Sequence, residues 1–174
     1  MDCETDASLS ENHHCGLRED RILRGRIVKI SGEFTVNAPR QKVWETLNDV
    51  ETLGSMIPGA KGLREVGPDE YAASMDLGIG PIRTSFSGKV KISERVEPSS
   101  YKLQIEGNSR HGWMNGNGNV ELEEVSDDST LIRADGDIQV GGMVARVGQR
   151  MLPGISKQMM QTFFKNVERN ASQR

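Results

Sequence analysis

The sequence predicts an α+β fold in which a curved seven-stranded antiparallel sheet is covered by one long C-terminal helix. Three observations predict it. From Gly62 to Val140, apolar and polar residues alternate in short runs separated by turn residues, as in strands with one buried face. From Gly142 to Val167 the period changes: Val144, Val147, Met151, Ile155, Met159, Phe163 and Val167 recur at steps of three and four, as in an amphipathic helix. An antiparallel sheet with one apolar face has to cover that face, and this helix is the only element long enough to do so.

The elements follow in chain order. Residues 1–25 are mostly charged or small and polar, without apolar periodicity, and are expected to form a disordered extension. Cys3, His13, His14 and Cys15 lie in it, but their spacing lacks the close cysteine pairs of a zinc site, and no metal site is expected. A single domain is expected over residues 26–170. Ile27 to Val36 alternates as a first strand. Pro39 suits the first turn of a helix, where its missing N–H is not needed, and Val43, Trp44 and Leu47 mark that helix's buried side. Val50 to Ile57 reads as a second short helix stopped by Pro58 and Gly59. Strands are then expected at Leu63–Val66, Tyr71–Gly80, Ile82–Val96, Tyr101–Gly107, Val120–Val125 and Leu131–Val140, with residues 108–119 as a glycine-rich loop. The closing helix would run about 36 Å if continuous. Pro153 and Gly154 predict a kink, or two helices meeting, near Met151 to Gly154.

Composition narrows the function. The net charge of −3 argues against a general nucleic-acid binder. There is no 18-residue apolar run and no visible signal peptide, and both cysteines fall in the N-terminal extension, so a cytoplasmic location is the default expectation. Seven of the eight methionines fall within the folded part, and methionine suits adaptable apolar surfaces. Two readings of the helix stripe are therefore open: ordinary core filling, or one wall of an internal apolar cavity. Strand parity and helix phase give the candidate walls of such a cavity. Met75, Leu77, Phe86, Val90, Leu103 and Ile105 come from the sheet, and Met143, Val147, Met151, Ile155 and Met159 from the helix. Met56 and Trp113 are placed towards one end. On the opposite side of the helix, Arg146, Arg150, Lys157 and Lys165 form a basic stripe, either solvated or turned to an acidic partner or anionic membrane.

Three segments carry a resemblance. Val43 to Leu63 (VWETLNDVETLGSMIPGAKGL), Ile79 to Glu94 (IGPIRTSFSGKVKISE) and Gly141 to Phe164 (GGMVARVGQRMLPGISKQMMQTFF) together resemble the carbon monoxide dehydrogenase G-subunit family, in matching order across Val28 to Val167. That family belongs to the START-like, helix-grip superfamily, related to polyketide cyclases and lipid-transfer domains. The resemblance implies a curved sheet gripping the C-terminal helix round an apolar cavity. It also implies an accessory role to a molybdenum carbon monoxide dehydrogenase or related hydroxylase, with a lipophilic molecule such as a quinone as ligand. Recruitment of the dehydrogenase to the inner face of the membrane is a further implied role.

Catalytic groups are sparse. His111 is the only histidine beyond the N-terminal extension and sits in a glycine-rich stretch. Glu123, Glu124, Asp127 and Asp128 flank a hairpin turn, and Asp135 and Asp137 have outward parity. Gly141-Gly142 before the last helix is explained by a chain reversal. No nucleophile elbow, phosphate loop or metal motif is present. No catalytic residue is expected, and a cyclase or dehydratase remains an alternative only if polar groups enter the cavity.

Overall fold

The computed structural model describes residues 25–148 and 150–173, except for the side chains of 147 and 148. The extension expected over residues 1–25, with Cys3, His13, His14 and Cys15, falls almost wholly outside the described residues. The strands are β1 (Arg26–Val36), β2 (Ala60–Gly67), β3 (Glu70–Ile79), β4 (Ile82–Val96), β5 (Ser100–Ser109), β6 (Gly112–Ser126) and β7 (Ser129–Gly142). Helices α1 (Arg40–Asn48) and α2 (Val50–Met56) follow β1, and α3 (Met143–Gly148) and α4 (Leu152–Gln173) follow β7.

All seven strands join one antiparallel sheet in the order β1-β7-β6-β5-β4-β3-β2. The hairpins run consecutively, and the first strand returns beside the last. The sheet is tightly curled where β4 passes β5. A Cβ on Gly88 would lie 1.7 Å from the Glu106 carbonyl oxygen, so only glycine permits that approach.

Helix α1 begins after Pro39, whose carbonyl accepts the Val43 N–H at 3.1 Å. Asp49 caps α2, accepting from the Glu51 and Thr52 amides. The final helix is broken as Pro153 and Gly154 predict, into α3 and α4. The expected loop over residues 108–119 is instead mostly strand: β6 starts at Gly112, and only a tight turn at Arg110-His111 separates it from β5. The run WMNGNGNV conceals this strand because its inward positions 116 and 118 are glycine, leaving no apolar alternation to read.

Two apolar clusters hold the layers together. The larger joins Trp44 and Leu47 of α1 to Ile92, Tyr101, Leu122 and Ile132 of the sheet and to Phe164, Val167 and Ala171 of α4. Phe34 stacks on Phe164 with ring centres 4.2 Å apart. The smaller gathers Ile79, Phe86, Val140 and Val144 under α3, with Leu152 and Ile155 against it.

The seating of α4 is uneven along its length. Its C-terminal half is buried at Phe164, Val167 and Ala171, and side chains pin it. Asn166 donates to the Met56 carbonyl at 3.0 Å, Asn37 donates to Glu168 at 2.6 Å, and Ser172 donates to the Asn37 carbonyl at 3.1 Å. Towards its N-terminus, Ile155, Met159, Met160 and Phe163 are only half-buried. The helix rests on β1, α1 and α2 and stands off the middle of the sheet.

Candidate functional site

The stand-off leaves a cavity of about 320 Å³ between α4 and the sheet, walled largely by members of the larger cluster and partly open to solvent. Its floor is the concave face of the sheet. One row of floor positions runs Ile30, Gly136, Gly118, Leu103, Ile92, and the next runs Ile138, Gly116, Ile105, Val90, Tyr71. The missing side chains at Gly118 and Gly136 deepen the floor opposite the helix. Met159, Met160, Phe163 and Phe164 of α4 form the roof, and Leu53, Ile57 and Pro58, from α2 and the turn after it, close one end. A hollow of this size and lining suits a small lipophilic molecule, near the lower end of known ligand pockets at about 300–1,000 Å³.

The predicted wall residues fall into several groups. Val90, Leu103, Ile105 and Met159 line the cavity. Met75, Leu77, Phe86 and Ile155 share the concave side but pack in or against the smaller cluster, beyond the cavity's end. Met56 is fully buried in the larger cluster. Met143 and Met151 are exposed, at 52% and 43%, because the break before α4 shifts the phase that a continuous helix would have kept. Trp113 has the parity opposite to Met114, Gly116 and Gly118, so it faces the convex side, where its indole lies over Gly141 and Gly25. The Val147 side chain lies outside the described residues.

Sequence reasoning missed several wall residues. Met160 and Phe164 sit one position beside the apolar stripe of the closing helix. Ile30, Tyr71, Tyr101 and Ile138 have the right parity, and that alternation is the signal that locates them.

The walls offer little acid–base chemistry. Asn117, Asn119 and Asp135 border the floor from outward-facing positions, and the Asn119 amide donates to the Asp135 carboxylate at 3.1 Å on the outer surface. Tyr71 and Tyr101 are the titratable residues facing inward. Burial pushes the Tyr101 phenol well above its ordinary range, slightly offset by the positive Arg95 nearby. No group of three or more His, Cys, Asp or Glu suited to a metal occurs among the described residues. His111 stands in the β5–β6 turn, where its carbonyl accepts the Val144 N–H at 3.1 Å and so anchors α3. Of the basic stripe, Arg146, Arg150, Lys157 and Lys165 are all exposed. No described helix is long and apolar enough to cross a membrane.

The same architecture recurs among solved structures. A conserved protein from Geobacillus kaustophilus is 29% identical, with a TM-score of 0.80 over 84% of this chain and 96% of that one. A START superfamily protein from Mycobacterium smegmatis is 17% identical, with a TM-score of 0.67 over 83% and 97%. The ZhuI aromatase/cyclase from Streptomyces sp. R1128 is 13% identical, also with a TM-score of 0.67, over 86% and 96%. At the last two identities the likeness shows the fold alone. No protein of curated function matches the chain in sequence. The seven-stranded sheet curled about a C-terminal helix is the START-like, helix-grip fold, and residues 32–172 match the sequence pattern of one of its families, so the chain belongs to the carbon monoxide dehydrogenase G-subunit (CoxG) family.

Proposed function

We propose that the chain is a non-catalytic carrier that holds one lipophilic molecule and serves a molybdenum carbon monoxide dehydrogenase-type enzyme. A quinone acting as electron acceptor fits that role. One observation carries the reading: the cavity between α4 and the sheet is walled almost entirely by aliphatic, aromatic and methionine side chains. Burial in such a site favours an apolar guest by about 25 cal/mol for each Å² removed from water, without help from charge. Membership of the CoxG family supports the choice of enzyme. The test is organic extraction of the purified protein followed by mass spectrometry, then reloading with a short-chain quinone and transfer to the reduced dehydrogenase. Recovery of a lipophilic compound and faster quinone reduction are expected. A protein that neither yields nor accepts such a compound contradicts the proposal.

A second reading is recruitment through protein or membrane contacts without a ligand. The exposed Met143 and Met151 favour it, because they lie on the α3–α4 elbow among Arg146, Arg150 and Lys157, and no described acidic group pairs with those cations. Reversing these charges is expected to weaken co-purification with the dehydrogenase or binding to anionic vesicles at low salt, and unchanged binding in both assays counts against it. A cyclase-like activity is a third reading, prompted by the fold that ZhuI shares. It would have to run on the two phenols, and replacing both with phenylalanine would abolish any such turnover.

A further inference from the structure

The cavity is apolar but not featureless. Tyr101 lines it at the end nearest α1 and is 6% exposed. The Trp44 ring meets it edge-on, with centres 5.7 Å apart and planes at 72°, which fixes the phenol's direction. No side-chain hydrogen bond among the described residues uses its hydroxyl, whereas Tyr hydroxyls in protein interiors usually have a partner. The hydroxyl is not among the fully enclosed unpartnered atoms, which are Arg40 Nε, Asn48 Oδ1 and His111 Nδ1, so it keeps open space beside it. No Lys, Arg or His among the described residues lines the cavity, so an anionic head group would be desolvated there without compensation. Burial keeps the phenol protonated, so it is available as a donor at any ordinary pH.

We infer that Tyr101 is the polar anchor of the cavity: its hydroxyl donates a hydrogen bond to an uncharged oxygen acceptor, such as a ketone or quinone carbonyl, on an otherwise apolar ligand. This rests on the carrier reading and adds to it the ligand's orientation, carbonyl end towards α1, and a basis for discriminating carbonyl compounds from hydrocarbons. Tyr101 is thus a specificity-determining residue rather than a filler of the core.

The experiment uses the full chain after organic extraction and two probes. One is 6-propionyl-2-dimethylaminonaphthalene, whose emission moves to the red when its carbonyl accepts a hydrogen bond. The other is 2-dimethylamino-6-propylnaphthalene, the same fluorophore without the carbonyl. Tyr101→Phe keeps the ring and removes only the donor. It is expected to weaken the ketone probe about three- to tenfold, the usual effect of one net hydrogen bond. The bound ketone's emission should move to the blue, and the affinity for the carbonyl-free probe should stay unchanged. Equal affinity and emission of the ketone in both proteins overturns the inference while the carrier reading stands. Equal weakening of both probes also overturns it, and makes Tyr101 a packing residue. If neither probe binds the unsubstituted protein, the carrier reading fails first and the anchor with it.

Discussion

Replacing Gly118 with valine puts the hollow itself to the test, through the sign of a stability change. Gly118 lies on the floor between Leu103 and Gly136. A Cβ there would stand 3.3 Å from the Asp135 carbonyl oxygen and 4.0 Å from the Leu103 side chain, with no other described atom beyond its chain neighbours within 4 Å. Valine adds three carbons, and burying them at about 0.8 kcal/mol each stabilises by about 2 kcal/mol. Removing a glycine from a strand interior contributes roughly 0.5–1 kcal/mol more. The tight approach to Asp135 offsets part of this. A net gain of about 2 kcal/mol corresponds to a rise in Tm of about 4–8 °C for a domain of this size. In a filled core the same substitution would overpack and destabilise by about 1–3 kcal/mol. The assay pairs thermal and urea unfolding of the extracted protein with titration of a lipophilic fluorescent probe. Higher stability with loss of probe binding is the expected result. Lower stability with unchanged probe binding refutes the reasoning, because the floor at Gly118 would then be neither empty nor part of the site.

Other perturbations have defined outcomes. Phe164→Ala removes the ring stacked on Phe34 and is expected to cost about 3 kcal/mol, the low end for a buried phenylalanine because one side already borders the cavity; denaturant titration measures it. Thr130 is fully buried and donates to the Ala38 carbonyl at 2.8 Å, so Thr130→Val should destabilise by about 1–2 kcal/mol in the same titration. Asp76 is held below its ordinary value of 3.8, first by the hydrogen bond from Lys61 at 2.7 Å and then by that from Ser85. Because the folded value is the lower one, its contribution is complete above that ordinary value and fades as the pH falls through the folded one. Acid unfolding of Asp76→Asn should accordingly show a shallower loss of stability at the acid end than the unsubstituted protein.

The number of strands, the position of the helices and the break at Pro153 are legible in the sequence because each has a local cause: alternation, caps or a proline. The start of β6 is not. Gly116 and Gly118 carry no apolar side chain on the inward face, so the period-two signal vanishes where the fold most needs empty space. Gly118 also deepens the cavity, which is why strand and site are obscured together. On the helix, extrapolating one phase from Val144 through Met159 overlooks the slip at Pro153, and so assigns Met143 and Met151 to a wall when they lie in solvent. Trp113 illustrates a different limit. A large aromatic in a glycine-rich stretch looks like a cavity residue until pairing with Gly141 fixes its parity. Which inward residues pack together and which stand apart depends on the seating of α4, set by long-range contacts such as Asn166 to Met56 that no local pattern encodes.

The central claim, that the lipophilic guest lies between α4 and the sheet, is tested most directly by methyl NMR of the extracted protein titrated with a ketone probe. The account predicts one saturable site, with shifts concentrated on Val90, Leu103, Ile105, Ile138 and Met159, and with Ile79, Val140 and Val144 of the smaller cluster little changed. Shifts confined to the exposed Met143 and Met151, or none at saturating probe, would contradict it.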